Sequence, residues 1–300
     1  MAQAQVNGLT LEYEIEGPAD APVLLMIHGV GAQLIRWSPA LREALVQAGF
    51  RLLRFDPRDI GLSTRMDDSP VPDLARVIEA RARGQEPELP YTLSDLAADA
   101  AGLLDALGIA SAHVLGVSLG GMVAQVLAIE HPRRVDSLAI MMSQSGSPAL
   151  PPSKPEALHM LSMPAPDPVR EREAFLDHQV ERNRVLGSPA YPVPEEDLRR
   201  YAALAADRAW YPGGTARQLA AGRGSADRRA LLRRLRVPAL VLHGADDPLI
   251  PVEAGEDIAD NIPGSWFVKI DGMGHDLPAE LFGLFVATIG ANASRAASRG

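Results

Sequence analysis

One stretch of sequence decides the fold: Gly116-Val117-Ser118-Leu119-Gly120, which follows an apolar run and opens a helix-like segment. A turn this tight forces the serine backbone into a strained conformation, and the flanking glycines let strand and helix approach each other. Glycine-rich turns without a catalytic role can have the same sequence pattern, so the interpretation depends on the strand before this turn and the helix after it. That context predicts a nucleophilic serine, with its hydroxyl lifted out of the sheet.

The surrounding sequence alternates between strand-like and helix-like segments. The apolar runs are short and nearly continuous, as in strands that are buried on both faces, and Asn7-Gly8 predicts an opening antiparallel hairpin. The alternation predicts an α/β fold with a doubly wound, mostly parallel sheet flanked by helices. The predicted strands are 22–27, 51–55, 112–117, 135–142, 237–243 and 265–270, and the predicted helices are 38–48, 93–107, 120–130, 227–235, 252–261 and 279–288.

Residues 146–225 interrupt this alternation. The prolines concentrate there, and helical segments with regularly spaced apolar side chains favour a packed insert over a disordered linker. We therefore expect a helical lid at 146–225, an α/β core formed by 1–145 and 226–290, and a frayed tail at 291–300. Eleven of the 25 prolines lie in this stretch: Pro148, Pro151, Pro152, Pro155, Pro164, Pro166, Pro168, Pro189, Pro192, Pro194 and Pro212. The apolar positions are Phe175, Leu176, Val180, Tyr201, Leu204 and Trp210.

Composition excludes several classes of protein. The chain has 300 residues, of which 47% are hydrophobic and 22% charged, as in an ordinary globular protein. Zero cysteines exclude disulfides and a thiol nucleophile, and a net charge of −9 argues against nucleic acid as a partner. No apolar run approaches the roughly 18–20 residues of a membrane span, and the first residues lack an export signal, so we expect a cytoplasmic protein.

Two later loops supply partners for the serine. His275 follows the last predicted strand, and an imidazole is suited to take the serine proton and return it to a leaving group. Asp246 and Asp247 follow the preceding strand, and either one could orient the imidazole. Successive residues in an extended loop point in opposite directions, so only one of the two can face His275, and periodicity leaves that choice open.

The loop His28-Gly29-Val30-Gly31 ends an earlier strand. We expect the Val30 amide to act with the Leu119 amide as an oxyanion hole, the pair of N–H donors that stabilises a tetrahedral intermediate. His28 is expected to fix this loop by hydrogen bonding rather than to act as a base.

The elbow and the loops around it, taken in chain order, resemble the α/β-hydrolase fold family over nearly the whole chain outside the lid. In that family the acid stands three residues after a strand-end glycine and four before a proline, which implies Asp247, between Gly244 and Pro251. The loop at 56–63 carries Arg58-Asp59 where the family usually has Arg-Gly. This form is similar to the aclacinomycin methylesterase-like subgroup, and it implies that both residues act as scaffold.

These residues predict a serine hydrolase of the carboxylesterase type with Ser118, Asp247 and His275 as its triad. The expected partner is a small-molecule ester of small or medium apolar character, and no cofactor or metal is expected. A perhydrolase, a lactonase, a carbon–carbon hydrolase and a non-catalytic ligand receptor on the same fold remain alternatives. Substrate-binding residues and the oligomeric state stay unassigned, with Trp210, Leu176 and Met160 as candidates for the lid's apolar wall.

Overall fold

The computed structural model of the chain describes residues 2–297, which contain an eight-stranded sheet. The strand order is β1-β2-β4-β3-β5-β6-β7-β8, and every neighbouring pair from β4 to β8 is parallel. This architecture confirms the predicted fold class. The strands are β1 (Ala2–Val6), β2 (Leu9–Glu16), β3 (Val23–Ile27), β4 (Arg51–Phe55), β5 (Ala112–Val117), β6 (Val135–Met141), β7 (Ala239–Gly244) and β8 (Trp266–Ile270).

The chain opens with the predicted hairpin. Asn7 and Gly8 both have positive φ, at 52° and 78°, as a two-residue turn of the hairpin type requires. Val6 pairs with Leu9 across this turn, and β2 then pairs antiparallel with β4. The hairpin thus adds an antiparallel edge to the parallel sheet.

Helices cover both faces of the sheet. Alternate residues of a strand point to opposite faces, so Leu25 and Ile27 pack on the side of α3, α4 and α10, whereas Leu24 and Met26 pack on the side of α1 and α11. The sheet is therefore buried between two apolar layers. The helices are α1 (Pro39–Gln47), α2 (Leu74–Ala82), α3 (Leu93–Ala106), α4 (Leu119–Glu130), α5 (Pro155–Ser162), α6 (Arg172–Leu186), α7 (Glu195–Arg208), α8 (Pro212–Arg223), α9 (Arg229–Leu232), α10 (Val252–Asn261) and α11 (Phe282–Ala297).

Four helices, α5 to α8, stand between β6 and β7, in the region where the sequence predicts an insert. In the sequence, the prolines there indicated only where the insert lies, and α5 and α8 were not predicted. Pro155 and Pro212 occupy the first turn of these two helices. Backbone N–H groups in the first turn have no acceptor within the helix, so a proline there removes no helical hydrogen bond. Phe175 and Leu176 are buried as expected, but Leu204 is exposed.

The final helix differs from its expected bounds. A short 3₁₀ turn at Ala279–Leu281 precedes α11, which continues to Ala297. Asn292 and Ala293 are buried, and the Asn292 side chain donates a hydrogen bond to the Leu138 carbonyl at 3.1 Å. The frayed tail expected from residue 291 is therefore wrong as far as Ala297, and residues 298–300 lie outside the described part. Among the described helices, none is both long enough and apolar enough to cross a bilayer.

Candidate active site

The elbow at Ser118 joins β5 to α4. Ser118 has φ 55° and ψ −119°, a conformation that costs free energy for a residue with a side chain. A hydrogen bond from the Ser118 amide to the Met141 carbonyl at 2.9 Å holds the turn against β6. Glycine is required on both sides, because a Cβ at Gly116 would lie 2.4 Å from the Gly120 carbonyl oxygen and one at Gly120 would lie 2.0 Å from the Ile27 oxygen.

Three side chains from separate loops meet at this elbow. The His275 Nε2 atom lies 3.0 Å from the Ser118 hydroxyl, and its Nδ1 atom lies 2.7 Å from Asp247 Oδ2. The Asp247 side chain is fully buried, and that of His275 is 9% exposed. The structure thus brings together all three residues predicted for the triad, in the geometry of a nucleophile, a base and an orienting acid.

The structure also separates the two adjacent aspartates. The Asp247 Oδ1 atom accepts hydrogen bonds from the Leu249 and Ile250 amides at 2.8 and 2.9 Å, which leaves Oδ2 to face His275. Asp246 is exposed, and its carboxylate instead accepts from the Gly272 amide at 2.9 Å. Asp247 is therefore the carboxylate at the imidazole, the position that the family resemblance implied.

The charge state of Asp247 follows from its partners. Burial by itself would raise the pKa of this carboxyl, but His275 and His243 outweigh burial and hold the pKa well below its usual range. Asp247 is thus ionised at neutral pH. His243 is fully buried, and its Nε2 atom bonds to the Ile250 carbonyl at 2.8 Å, so it supports the acid loop.

His28 lies close to the triad, but its hydrogen bonding differs from that of a base. Its Nδ1 atom accepts the Gly29 amide at 2.7 Å, and its ring packs edge-on against Trp37. Burial, together with Arg36 and His275, lowers the pKa of His28 well below 6.5, so the ring is neutral. This geometry agrees with the predicted loop-fixing role.

Val30 and Leu119 both line a cavity of about 230 Å³ that includes Ser118. Within the described part of the chain, neither backbone amide donates a hydrogen bond to another protein group, as the predicted oxyanion-hole role requires. The inserted helix α8 holds the Val30 loop, because Gln218 accepts the Gly31 amide at 2.9 Å.

Most of the cavity wall is apolar and comes from residues that the sequence analysis did not identify. Leu161 and Leu219 of the inserted helices contribute apolar side chains to this wall. The residues expected there, Trp210, Leu176 and Met160, are absent from the described lining. No sequence signal distinguishes the two sets, because all five are large apolar residues of the insert; Trp210 lies between α7 and α8, and the other four lie on helices. The other lining residues are Met122, Gln144, Ser147, Leu150, Pro151, Pro152, Ser153, Gly222, Arg223, Leu249, Ile250, Pro251 and Ala254.

The scaffold role implied for Arg58 and Asp59 agrees with their contacts. Arg58 forms two hydrogen bonds with the buried Asp99 carboxylate, at 2.6 and 2.7 Å. Asp59 pairs in the same way with Arg217 of α8, at 2.7 and 3.1 Å. These pairs tie the loop at 56–63 to the core on one side and to the inserted helices on the other.

Asp56 is a polar centre that the sequence analysis missed. Its carboxylate accepts the Leu34 and Leu62 amides at 2.7 and 2.9 Å and pairs with Arg208 at 2.7 Å. Its position, a charged residue at the end of a buried strand, was a sequence signal for a polar contact. The partners could not be predicted, because Arg208 lies far from Asp56 in the sequence. Among the described residues, no cluster of three or more His, Cys, Asp or Glu side chains could hold a metal ion.

This fold, with a serine elbow and a histidine and an aspartate on later strand-end loops, has the architecture of an α/β hydrolase. The family model for the alpha/beta hydrolase fold matches residues 22–280, and the chain belongs to that family. This finding confirms the resemblance inferred from the sequence.

Individual relatives agree with the family assignment. The chain is 31% identical to the rhodomycin D methylesterase DnrP of Streptomyces peucetius, over 94% of this chain and 93% of that protein. The enol-lactonase of Burkholderia xenovorans LB400 superposes with a TM-score of 0.73 at 25% identity, covering 98% of this chain and all of that one. A hydrolase from Pseudomonas aeruginosa PA01 superposes with a TM-score of 0.70 at 28% identity, covering 97% of each chain.

Proposed function

We propose that this protein is a serine carboxylesterase that hydrolyses a small-molecule ester through an acyl-enzyme. The observation that carries the proposal is the continuous hydrogen-bonded chain from Ser118 through His275 to Asp247, with distances of 3.0 and 2.7 Å. The 31% identity to a methylesterase supports the same reaction class.

In the first half-reaction, the Ser118 oxygen attacks the ester carbonyl carbon while His275 Nε2 takes the hydroxyl proton. The ionised Asp247 accepts a hydrogen bond from the Nδ1–H group of His275 and stabilises the imidazolium that forms. The negative charge on the former carbonyl oxygen is held by the Val30 and Leu119 amides, each worth about 3 kcal/mol in comparable sites.

The tetrahedral intermediate collapses when His275 donates its proton to the alkoxide, and an alcohol leaves. A water molecule then attacks the acyl-enzyme, with His275 again acting as base, and releases the acid and the free Ser118 hydroxyl. We assign to the inserted helices the role of a lid, because Leu161 and Leu219 supply apolar wall to the cavity that contains Ser118.

The decisive experiment compares the wild-type protein with Ser118→Ala on a panel of p-nitrophenyl esters, methyl esters and lactones, with acetate plus peroxide as a further arm. Removal of the nucleophile should lower kcat/KM by about 10³-fold or more without a change in thermal unfolding. Esterase activity that survives in Ser118→Ala would refute the proposal. A wild-type protein that acts only in the peroxide arm would point to a perhydrolase, and one that is inactive in every arm would point to a ligand receptor or a carbon–carbon hydrolase.

A further inference from the structure

The cavity at Ser118 contains one formally charged side chain besides the site itself. Arg223, the last residue of α8, lines this cavity, and no aspartate or glutamate is among its described lining residues. Within residues 2–297, Arg223 forms no ion pair and no side-chain hydrogen bond. A cationic residue without an ion-pair partner thus lines a cavity whose wall contains both apolar and polar residues.

Several other arginines near the insert are compensated. Arg217 on the same helix pairs with Asp59, and Arg208 pairs with Asp56. Arg228 is buried without an ion pair, but its guanidinium donates to the Gln144 and Ala226 carbonyls at 2.8 and 3.1 Å. Arg182 of α6 likewise forms no ion pair and no side-chain hydrogen bond within residues 2–297, but only Arg223 of these two lines the cavity at Ser118.

Arg223 is half-buried, so its guanidinium gives up part of its hydration without a carboxylate in the protein to replace it. Burial lowers the pKa of Arg223, and no neighbouring carboxylate opposes that effect. The guanidinium nevertheless stays charged, and its planar set of donors matches a carboxylate in a bidentate arrangement. An anionic group on a ligand would supply the partner that the protein itself lacks.

On the basis of the proposed esterase function, we propose that Arg223 binds a carboxylate carried by the substrate, so that the enzyme prefers half-esters of dicarboxylic acids to neutral esters. The ester carbonyl lies at Ser118, and the apolar wall from Leu219 and its neighbours contacts the methylene chain between the two ends. Arg223 is thus a specificity-determining residue and takes no part in bond making or breaking.

The test uses two matched series of methyl esters. One series contains the monomethyl esters of dicarboxylic acids with five, seven and nine carbons, and the other replaces the free carboxylate with a primary amide of the same size. At pH 7.5 the wild-type protein should favour the acid over the amide by at least tenfold in kcat/KM at one chain length. Arg223→Gln should bring this ratio close to one, and Arg223→Lys should keep part of it.

Two control variants locate the anion. Arg133→Gln makes the same change at an exposed arginine on the turn before β6, and it should keep the wild-type ratio. Arg182→Gln changes an arginine close to Arg36, on the His28 side of the site. A ratio that survives in Arg223→Gln but is lost in Arg182→Gln would overturn the assignment to Arg223.

A binding measurement separates this inference from the proposed function. In the Ser118→Ala background, titration calorimetry with the preferred half-ester should show binding that Arg223→Gln weakens at least tenfold. Hydrolysis of neutral and acidic esters at equal rates would leave the esterase standing and refute the role of Arg223. Binding that depends on Arg223 in a protein without esterase activity would refute the esterase and keep the anion site.

Discussion

The strand-end loops of the core and the inserted helices α5 to α8 hold their positions by different means. The loops at Ser118 and His275 stand on strands whose side chains fill two large apolar clusters. The inserted helices have a small apolar cluster of their own, centred on Phe175, Leu176 and Ala202. They also contribute Ala157, Leu186 and Ala221 to one of the two large clusters. Hydrophobic burial therefore positions the strand-end loops, whereas the insert combines apolar packing with charged pairs that reach those loops.

Those polar contacts end on the loops that surround the site. Arg208 and Arg217 reach Asp56 and Asp59, and the Leu186 carbonyl at the end of α6 accepts the His275 amide at 2.7 Å. The insert is thus attached to the site through a few directed bonds. Substitutions in the core loops should mainly change turnover, and substitutions at the junction should mainly change stability.

The largest expected effect tests the core side of this comparison. Asp247→Asn removes the charge that stabilises the His275 imidazolium, so kcat/KM should fall by about 10³- to 10⁴-fold. Asp246→Asn is the matched control, and it should stay within about threefold of wild type because Asp246 contacts only the neighbouring loop. Steady-state kinetics on a p-nitrophenyl ester measures both. An equal loss in the two variants would show that the carboxylate at His275 has been assigned wrongly.

The second effect tests the junction. Asp59→Asn removes the negative charge from a pair in which the Arg217 side chain is only 2% exposed, which leaves a buried cation without its counter-charge. We expect a loss of about 3 kcal/mol in the free energy of unfolding, measured with urea. Asn is the appropriate replacement because residue 59 has a φ of +70°, which Asn tolerates better than most residues.

Asp207→Asn provides the matched control on the surface of the insert. Asp207 pairs with Arg172 at 2.8 Å, but the Asp207 side chain is 66% exposed and that of Arg172 is 35% exposed. The same substitution there should cost less than about 1 kcal/mol. Similar losses at the two sites would remove the distinction between the buried junction and the exterior of the insert.

The smallest effect concerns the charge state of His28 in the core. Because the folded pKa of His28 lies well below 6.5, the unfolded chain binds more protons than the folded chain as the pH falls below 6.5. Stability should therefore decline on acidification, by about 1 kcal/mol between pH 7.5 and pH 5.5 from this residue. In urea unfolding at pH 7.5 and pH 5.5, the free energy of unfolding of His28→Gln should fall by about 1 kcal/mol less than that of the wild-type protein.

Exposed His159 provides the control for this measurement, and His159→Gln should retain the acid-induced loss. If His28→Gln declined as steeply as wild type, the proton uptake would belong to other groups. The neutral, loop-fixing state of His28 would then be wrong.

The site was predictable where its signals are local. The Ser118 elbow depends on glycines within a few positions, and each glycine is required by a contact that a Cβ would block. The position of His275 followed from the loop after the last strand, because the carboxyl ends of parallel strands meet at one edge of a sheet. The missed helices α5 and α8 show the limit, since proline both ends helices and begins them.

By itself, the amino-acid sequence determined the alternating α/β order, the elbow and the chain order of serine, acid and histidine, because each depends on residues that are close in sequence. The residue pattern left Asp246 and Asp247 open, and only the family resemblance implied Asp247. The tertiary structure places Asp247 at His275, because the Leu249 and Ile250 amides hold its carboxylate there. It also decided which arginines are paired, because their partners lie more than one hundred positions away. Charges have no periodicity, so only the folded chain shows that Arg223 has no partner in the cavity.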